Sequence, residues 1–200
     1  MKITTKMVKD LRDATGAGVL DAKKALENAN GDFDGAVDIL REKGAARAAK
    51  RSDREAGEGV IELYSHPGNR LGVILELNCE TDFVARGDEF QNLAHDLALH
   101  IAGLNPQYIE REDVPQEELD RELNVLKSQA AAEGKPPQII EKMVEGRIKK
   151  FYEEVCLMEQ KFVKDDKVTI KEKITEVIRK TGENIIVRRF ARYELGESTE

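Results

Sequence analysis

The apolar residues of this chain change their spacing twice along its length, and that change restricts the possible folds more than any single motif does. Up to residue 44 they recur every three or four positions in three short blocks. Met7, Val8 and Leu11 follow Thr4 or Thr5, either of which can cap a helix, and Gly16 and Gly18 break the block. Val19, Leu20, Ala22, Ala25 and Leu26 form the second block, which stops at Asn30-Gly31, a helix C-terminal signal. Asp32 caps the third, with Phe33, Ala36, Val37 and Leu40 before Gly44. Three amphipathic helices joined by tight turns can close on themselves only as a small bundle, so residues 1–44 are expected to form a three-helix module, marginal by itself.

From Ala45 to Gly59 the pattern dissolves into Ala, Glu, Lys and Arg (Arg47, Lys50, Arg51, Arg54), and residues 45–58 are expected to be a linker, partly helical. The spacing then shortens to two. Gly59 to Tyr64 and Arg70 to Asn78 read as strands around the turn Ser65-His66-Pro67-Gly68-Asn69, with Val73, Leu75 and Leu77 alternating against Ile74, Glu76 and Asn78. Helical spacing returns at Asp88, where Phe90, Leu93, Ala94, Leu97 and Ile101 stripe a helix that should cover a sheet face and end near Gly103 and Pro106. Pro115 opens a polar helix with Leu119, Leu123 and Leu126, ending at Gly134. After Pro136-Pro137, residues Ile140, Met143, Val144, Ile148 and Phe151 stripe a return helix. Residues 115–155 are therefore expected to be an antiparallel helical hairpin with a narrow seam. A last helix near Ile170 to Lys180 ends at Gly182, and a closing strand runs from Asn184 to Glu194, with Ile186 and Phe190 on one face and Val187 and Tyr193 on the other. The predicted class is α+β: a three-helix module, a linker, and a small sheet-plus-helices core over 59–200 with a protruding helical hairpin.

Composition narrows the function. Aromatic residues are 5% and tryptophan is absent, so a stacking platform for bases or sugars has little to be built from. A formal charge of -7 with 36% charged residues disfavours nucleic acid, which normally demands a net basic face, and points to a protein partner. Cys79 and Cys156 are too few for a disulfide framework and lack CxxC spacing, which implies a reducing compartment, by default the cytosol. No stretch approaches the roughly 20 apolar residues of a membrane span, and no apolar segment follows Met1-Lys2-Ile3, so a soluble, unexported protein is expected.

Enzyme chemistry has little support. His95 and His100 do not share a helical face as an i, i+4 metal pair does, and His66 lies in the hairpin turn. Cys79, at a strand end among apolar neighbours, reads as a small core residue. There is no phosphate-binding loop, dinucleotide fingerprint or nucleophile elbow, so no cofactor, metal or small-molecule substrate is expected. The unusual segment is Glu80-Thr81-Asp82-Phe83-Val84-Ala85-Arg86-Gly87, where Phe83 and Val84 arrive in a short polar connection. From the pattern alone this aromatic is either a staple tucked under the next helix or a wedge offered to a partner on a loop.

Two stretches carry a resemblance. Leu11-Arg12-Asp13-Ala14-Thr15-Gly16-Ala17-Gly18-Val19-Leu20-Asp21-Ala22-Lys23-Lys24-Ala25-Leu26 resembles the amino-terminal signature of the elongation factor Ts family. Glu76-Leu77-Asn78-Cys79-Glu80-Thr81-Asp82-Phe83-Val84-Ala85-Arg86 resembles its second signature. His66 to Val73, Gly134-Lys135-Pro136 with Glu141 to Phe151, and Phe190 to Gly196 are similar to further family segments. The resemblance, to a short, single-core member, covers essentially the whole chain.

The resemblance implies a non-enzymatic guanine-nucleotide exchange factor for elongation factor Tu. It implies a ubiquitin-associated-like fold for residues 1–44, docking on the partner's nucleotide domain through Lys9, Arg12, Val19 and Leu20. Pattern alone would bury Val19 and Leu20 in the bundle. It also implies that the loop Thr81-Asp82-Phe83-Val84 intrudes near the partner's magnesium and phosphate sites, displacing Mg²⁺ and GDP. Longer members divide the Asp-Phe loop and a hairpin histidine between two related core halves. Here one core holds both His66 and Asp82-Phe83, which implies a homodimer that restores the two-half arrangement. Two rival readings stay open: an adaptor whose first module binds nascent chains or ribosomal partners, and a Cys/His hydrolase, which would need Cys79 or Cys156 exposed and nucleophilic.

Overall fold

The structure, a computed structural model, describes residues 3–132 and 137–198. Helix α1 (Thr5–Thr15) starts where Thr4 Oγ1 accepts the Met7 N–H at 3.2 Å. It stops at Gly16, which turns left-handed (φ 64°) and donates its N–H to Arg12 O. Helix α2 (Val19–Asn28) ends through Asn30 (φ 53°) and Gly31 (φ 87°), whose N–H returns to Leu26 O at 2.8 Å. Helix α3 (Phe33–Ala49) is capped by Asp32, whose Oδ2 accepts the Gly35 N–H at 2.9 Å. Val8, Leu11, Ala17, Ala22, Ala25, Leu26, Ala36 and Leu40 form a shared buried core for the three helices.

The third helix does not stop at Gly44. It continues to Ala49, into the segment read as a linker, and Gly44 is buried inside it. A Cβ at Gly44 would stand in ordinary contact, 3.8 Å from Arg179 Cδ and Thr175 Cγ2, so the glycine lies beside another helix, at residues 170–181, and not at a terminus. From that helix the Arg179 guanidinium donates to Thr15 O, and Arg51, just past α3, donates to Ile178 O at 3.4 Å.

Strands β1 (Glu58–Ser65) and β2 (Leu71–Cys79) form the expected hairpin, its turn made by Gly68 (φ 94°) and Asn69 (φ 54°) and closed by His66 N–H to Leu71 O at 2.9 Å. Val73, Leu75, Leu77 and Cys79 are buried along β2. A single helical turn, α4 (Asp82–Ala85), leads into α5 (Asp88–Leu104), whose Phe90, Leu93, Ala94, Leu97 and Ile101 are all buried, as the stripe requires. On the β1 side, His95 of α5 meets Tyr64 edge-on and pairs with Glu62 at 2.9 Å. The opposite face of the hairpin carries Leu63, 71% exposed, and Ile74, 45% exposed. Counting back from the His66–Leu71 bond puts these two side chains directly across from one another.

Helices α6 (Gln116–Ala132) and α7 (Pro137–Val155) make the predicted hairpin. Leu126, Ala130 and Val144 fill its seam, with Leu123, Ile140 and Ile148 packed against them. The turn expected at Gly134-Lys135-Pro136 lies outside the described residues. The base of α7 is tied down by Gln107 and Tyr108 N–H groups to Val155 O and by a two-point Arg111–Glu159 ion pair at 2.9 and 2.7 Å. A small antiparallel ribbon, β3 (Lys161–Phe162) with β4 (Asp165–Thr169), was not foreseen. Helix α8 (Ile170–Thr181) buries Ile170, Ile174, Val177 and Ile178 and ends at Gly182. Strand β5 (Ile185–Glu194) then runs back along β2, giving the order β1-β2-β5. Asn184 N–H reaches the Glu80 side chain where β2 ends, and Leu195 N–H reaches Arg70 O where β2 begins, so the pairing is antiparallel.

The class is therefore α+β. The chain divides into two compact units, one of Met1–Ile61, Glu76–Ala94 and Glu172–Arg188, the other of Glu62–Leu75, His95–Lys171 and Arg189–Glu200. Both interleave segments distant in sequence, whereas the sequence pattern divides the chain linearly at residues 44 and 58.

Gly59 fixes how β1 enters the sheet. Its φ of 151° belongs to glycine, and a Cβ there would overlap Leu77 O and stand 2.7 Å from the Asn78 Cα. Because the obstructing atoms are backbone of a buried strand, Gly59→Ala is expected to destabilise by about 2 kcal/mol, a fall in Tm of roughly 4–8 °C for a chain of this size. Thermal melting by circular dichroism checks this, and an unchanged Tm would show that β1 can enter elsewhere.

Candidate functional site

The buried strand β2 delivers the chain to Thr81, and Thr81 organises the helical turn beyond it. Its hydroxyl oxygen accepts the Val84 N–H at 3.4 Å and caps α4, while the hydroxyl itself donates to Glu183 Oε1 at 2.6 Å. Glu183 Oε2 also accepts the N–H groups of Glu80, at 3.2 Å, and Thr81, at 3.0 Å. Phe83 thus stands on a capped helical turn and not on the loop expected from sequence. The capping threonine was visible in the sequence, but one turn of helix is too short to show a period.

Phe83 is 83% exposed, more than any other large apolar side chain among the described residues. It is no staple under the following helix. Val84 is half-buried and Ala85 buried, so the turn is anchored by its trailing side and presents its leading side to solvent. Asp82 is exposed and pairs with Arg86 at 2.8 Å, a surface i, i+4 pair of small energetic weight. Arg86 belongs to this exposed cluster and was not singled out from the sequence.

Lys9 and Arg12 are exposed on α1, with Arg12 beside Asp13. Val19 and Leu20, in the first turn of α2, are 54% and 74% exposed. The pattern that would bury them fails because Ala22, Ala25 and Leu26 of the same helix already fill the bundle. Between this turn and α3 lies a shallow pocket lined by Gly16, Gly18, Asp21, Lys43, Arg47 and Arg179. The Asp21 carboxylate binds Lys43 at 2.5 Å and Arg47 at 3.0 Å, and these bonds, Lys43 foremost, hold its pKa below the ordinary range.

His66 is exposed in the β1–β2 turn, where Nδ1 meets the Tyr64 hydroxyl at 3.0 Å. It belongs to the second compact unit, whereas Lys9, Arg12, Val19, Leu20 and Thr81 to Val84 belong to the first. His100 is a buried core residue. Its Nδ1 accepts the Val163 N–H at 3.2 Å, which leaves Nε2–H to donate to Gln160 Oε1 at 2.9 Å, and burial lowers its pKa, so the ring is neutral.

Both cysteines are buried free thiols, and burial is the main cause that pushes each pKa up to about 11. This removes the hydrolase reading, which needed one of them exposed. Among the described residues no group of three His, Cys, Asp or Glu side chains is arranged to hold a metal ion. Nor is any helix among them long and apolar enough to cross a membrane. The surface offers an exposed aromatic on a capped turn, and on the three-helix bundle an exposed apolar pair, Val19 and Leu20, and two exposed cations, Lys9 and Arg12. Exposed aromatic and aliphatic side chains of this kind are what protein-binding surfaces bury.

Comparison with known proteins identifies the family. The family model described as "Elongation factor TS" matches residues 2–197. A protein of Carboxydothermus hydrogenoformans named elongation factor Ts is 57% identical over 98% of this chain and 90% of its own. One of Herpetosiphon aurantiacus, also named elongation factor Ts, is 57% identical over 99% of this chain and 100% of its own. A third, from Syntrophomonas wolfei, is 56% identical over 99% of this chain and 92% of its own. With a family model matched over nearly its full length and relatives this similar end to end, the chain belongs to the elongation factor Ts family of translation elongation factors.

Proposed function

We propose that the chain is a guanine-nucleotide exchange factor for elongation factor Tu, acting in the cytosol and catalysing no bond change. It binds the GDP form, inserts the Asp82-Phe83 turn near the magnesium and phosphate sites, and is released when GTP binds. The observation that carries this reading is Phe83, 83% exposed on a turn fixed by Thr81 and Glu183. An aromatic held in water by a rigid support has no use inside its own fold. Buried in a partner it gains about 2–3 kcal/mol.

Insertion and metal binding compete for one place, so each weakens the other by the same factor. Shifting the partner's nucleotide affinity by a factor of about 10⁴ needs roughly 5.5 kcal/mol of differential binding, more than one ring supplies. Lys9, Arg12, Val19 and Leu20 on residues 1–44, and His66, are proposed to share it, with Thr81 and Val84 shaping the turn. In this reading residues 1–44 form a ubiquitin-associated-like docking module, 45–58 connect it, and 59–200 are the core that also dimerises. Leu63 and Ile74, cross-strand neighbours in water, favour a homodimer through that sheet face. Small molecules, nucleic acid and membrane have no part in it.

Release of labelled GDP from purified elongation factor Tu, with and without this protein, tests the function directly. No stimulation would leave the adaptor reading standing. Phe83→Ala is expected to lower stimulated release at least about tenfold while the Tm stays within roughly 2 °C, because most of the ring is in solvent. A large drop in Tm with normal exchange by the folded remainder would contradict it. Asp82→Ala is expected to cost only about two- to threefold, in keeping with an exposed i, i+4 pair. Leu20→Ser should raise the half-saturating concentration several-fold and leave the maximal rate unchanged, the mark of uniform binding. A fall in maximal rate would assign Leu20 to insertion.

For the dimer, chains carrying Phe83→Ala and chains carrying His66→Ala, each impaired alone, should regain part of the activity when mixed. Sedimentation of a fully active monomer would refute the dimer, and absence of complementation the shared face.

A further inference from the structure

The turn that carries Phe83 is held by residues near the other end of the chain. Gly182 (φ 81°) ends α8 with its N–H on Ile178 O, and the next residue, Glu183, faces the N-cap of α4. Its carboxylate receives three donors: the Glu80 N–H at 3.2 Å, the Thr81 N–H at 3.0 Å and the Thr81 hydroxyl at 2.6 Å. Asn184, 3% exposed, donates its N–H to Glu80 Oε1 at 2.7 Å and its Nδ2 to Ser52 O at 3.3 Å and Arg54 O at 2.9 Å. Arg54 in turn reaches Glu80 Oε1 at 3.4 Å. Residues 182–184 thus bind the end of β2, the start of α4 and the backbone after α3.

A helix of one turn does not persist by itself, because nucleation fixes several residues for a single hydrogen bond. Asp82–Ala85 must therefore take its order from outside. Phe83 is 83% exposed and the Asp82–Arg86 pair lies at the surface, so neither supplies it, while buried Ala85, whose carbonyl accepts Gln91 Nε2–H at 2.6 Å, holds the C-terminal side. The charge-assisted bonds to Glu183 are the strong ones available on the N-terminal side.

We propose that Glu183 is the positioning residue of the exchange wedge. By fixing the Glu80 and Thr81 amides and the Thr81 hydroxyl, it holds Phe83 in the orientation that enters the partner, without touching nucleotide or metal. The inference rests on the reading of Phe83 as a wedge.

The test titrates each variant against elongation factor Tu loaded with labelled GDP and separates maximal rate from half-saturating concentration. Glu183→Ala is expected to lower the maximal rate about tenfold and to leave the half-saturating concentration within about threefold, since docking through the three-helix module is untouched. Glu183→Gln should recover most of the loss, because an amide oxygen still accepts both N–H groups and its NH₂ can donate to Thr81 Oγ1. The double variant Glu183→Ala/Phe83→Ala should be no slower than Phe83→Ala alone, as expected of two residues acting as one unit. In the free protein, the amides of Thr81, Ala85 and Arg86 should exchange faster in Glu183→Ala while those of β2 do not. Thr81→Val removes the hydroxyl bond to Glu183 together with the cap on Val84 N–H, whereas Thr81→Ser keeps both, so a loss in Thr81→Val that Thr81→Ser does not share gives the same readouts if Glu183→Ala fails to fold.

Wild-type rate in Glu183→Ala and Thr81→Val with Phe83→Ala impaired overturns this inference alone. Losses that add in the double variant, or that track a lower Tm with no recovery in Glu183→Gln, reduce Glu183 to a structural cap and overturn it as well. Wild-type rate in Phe83→Ala overturns the wedge itself and the inference with it.

Discussion

The register of β2 governs the rest of the molecule. Val73, Leu75 and Leu77 are buried with Ile74 exposed and Glu76 half-buried between them, so a slip by one residue would put the Glu76 carboxylate where an aliphatic side chain now sits. The strand lies between β1 and β5, and the missing side chain of Gly59 lets β1 settle against Leu77 and Asn78. With the strand so fixed, its exit has one direction, and Thr81 and the turn behind it inherit that direction. The position of the most exposed aromatic among the described residues is thus set by the burial of aliphatic residues a few positions earlier.

The helices and the main sheet were readable because their signals are long or chemically sharp. Thr4, Gly16, Asn30-Gly31 and Asp32 mark helix ends through specific hydrogen bonds, and the stripes on α5 and in the α6–α7 seam extend over several turns. The features that were missed are short or tertiary. β3 has two residues and α4 has four, less than sequence periodicity can register. Gly44 reads as a stop because sequence shows an absent side chain but not that the helix continues beside α8. Val19 and Leu20 read as core until the alanines beside them are seen to complete the bundle. Glu183 was beyond reach for a different reason. Its partners include two backbone amides, which leave no trace in residue identity, and they lie far from it along the chain.

The two exposed apolar groups are supported differently. Val19 and Leu20 sit on the first turn of a ten-residue helix whose other side is core, so their placement follows from the bundle itself. Phe83 depends on a few polar bonds at a strand end. Docking surface and wedge therefore differ in their sources of order: apolar packing carries the first, and charge-assisted hydrogen bonds together with the buried Ala85 carry the second. On the proposed function, a factor that must bind, insert and then let go gains from this separation. Contact can persist while the inserted element is withdrawn.

The isolation of Phe83 from its own fold has a consequence for how the protein fails in a cell. Most damaging substitutions lower stability, and the chains that carry them are removed by chaperones and proteases. On the proposed function a change at Phe83 would largely escape that surveillance, because a ring 83% exposed contributes little to stability. On the proposed function the altered chain would accumulate at normal abundance, keep its docking surface, and occupy elongation factor Tu without opening it. The defect would then be a partner occupied and left closed, which is not the same as a factor that is absent.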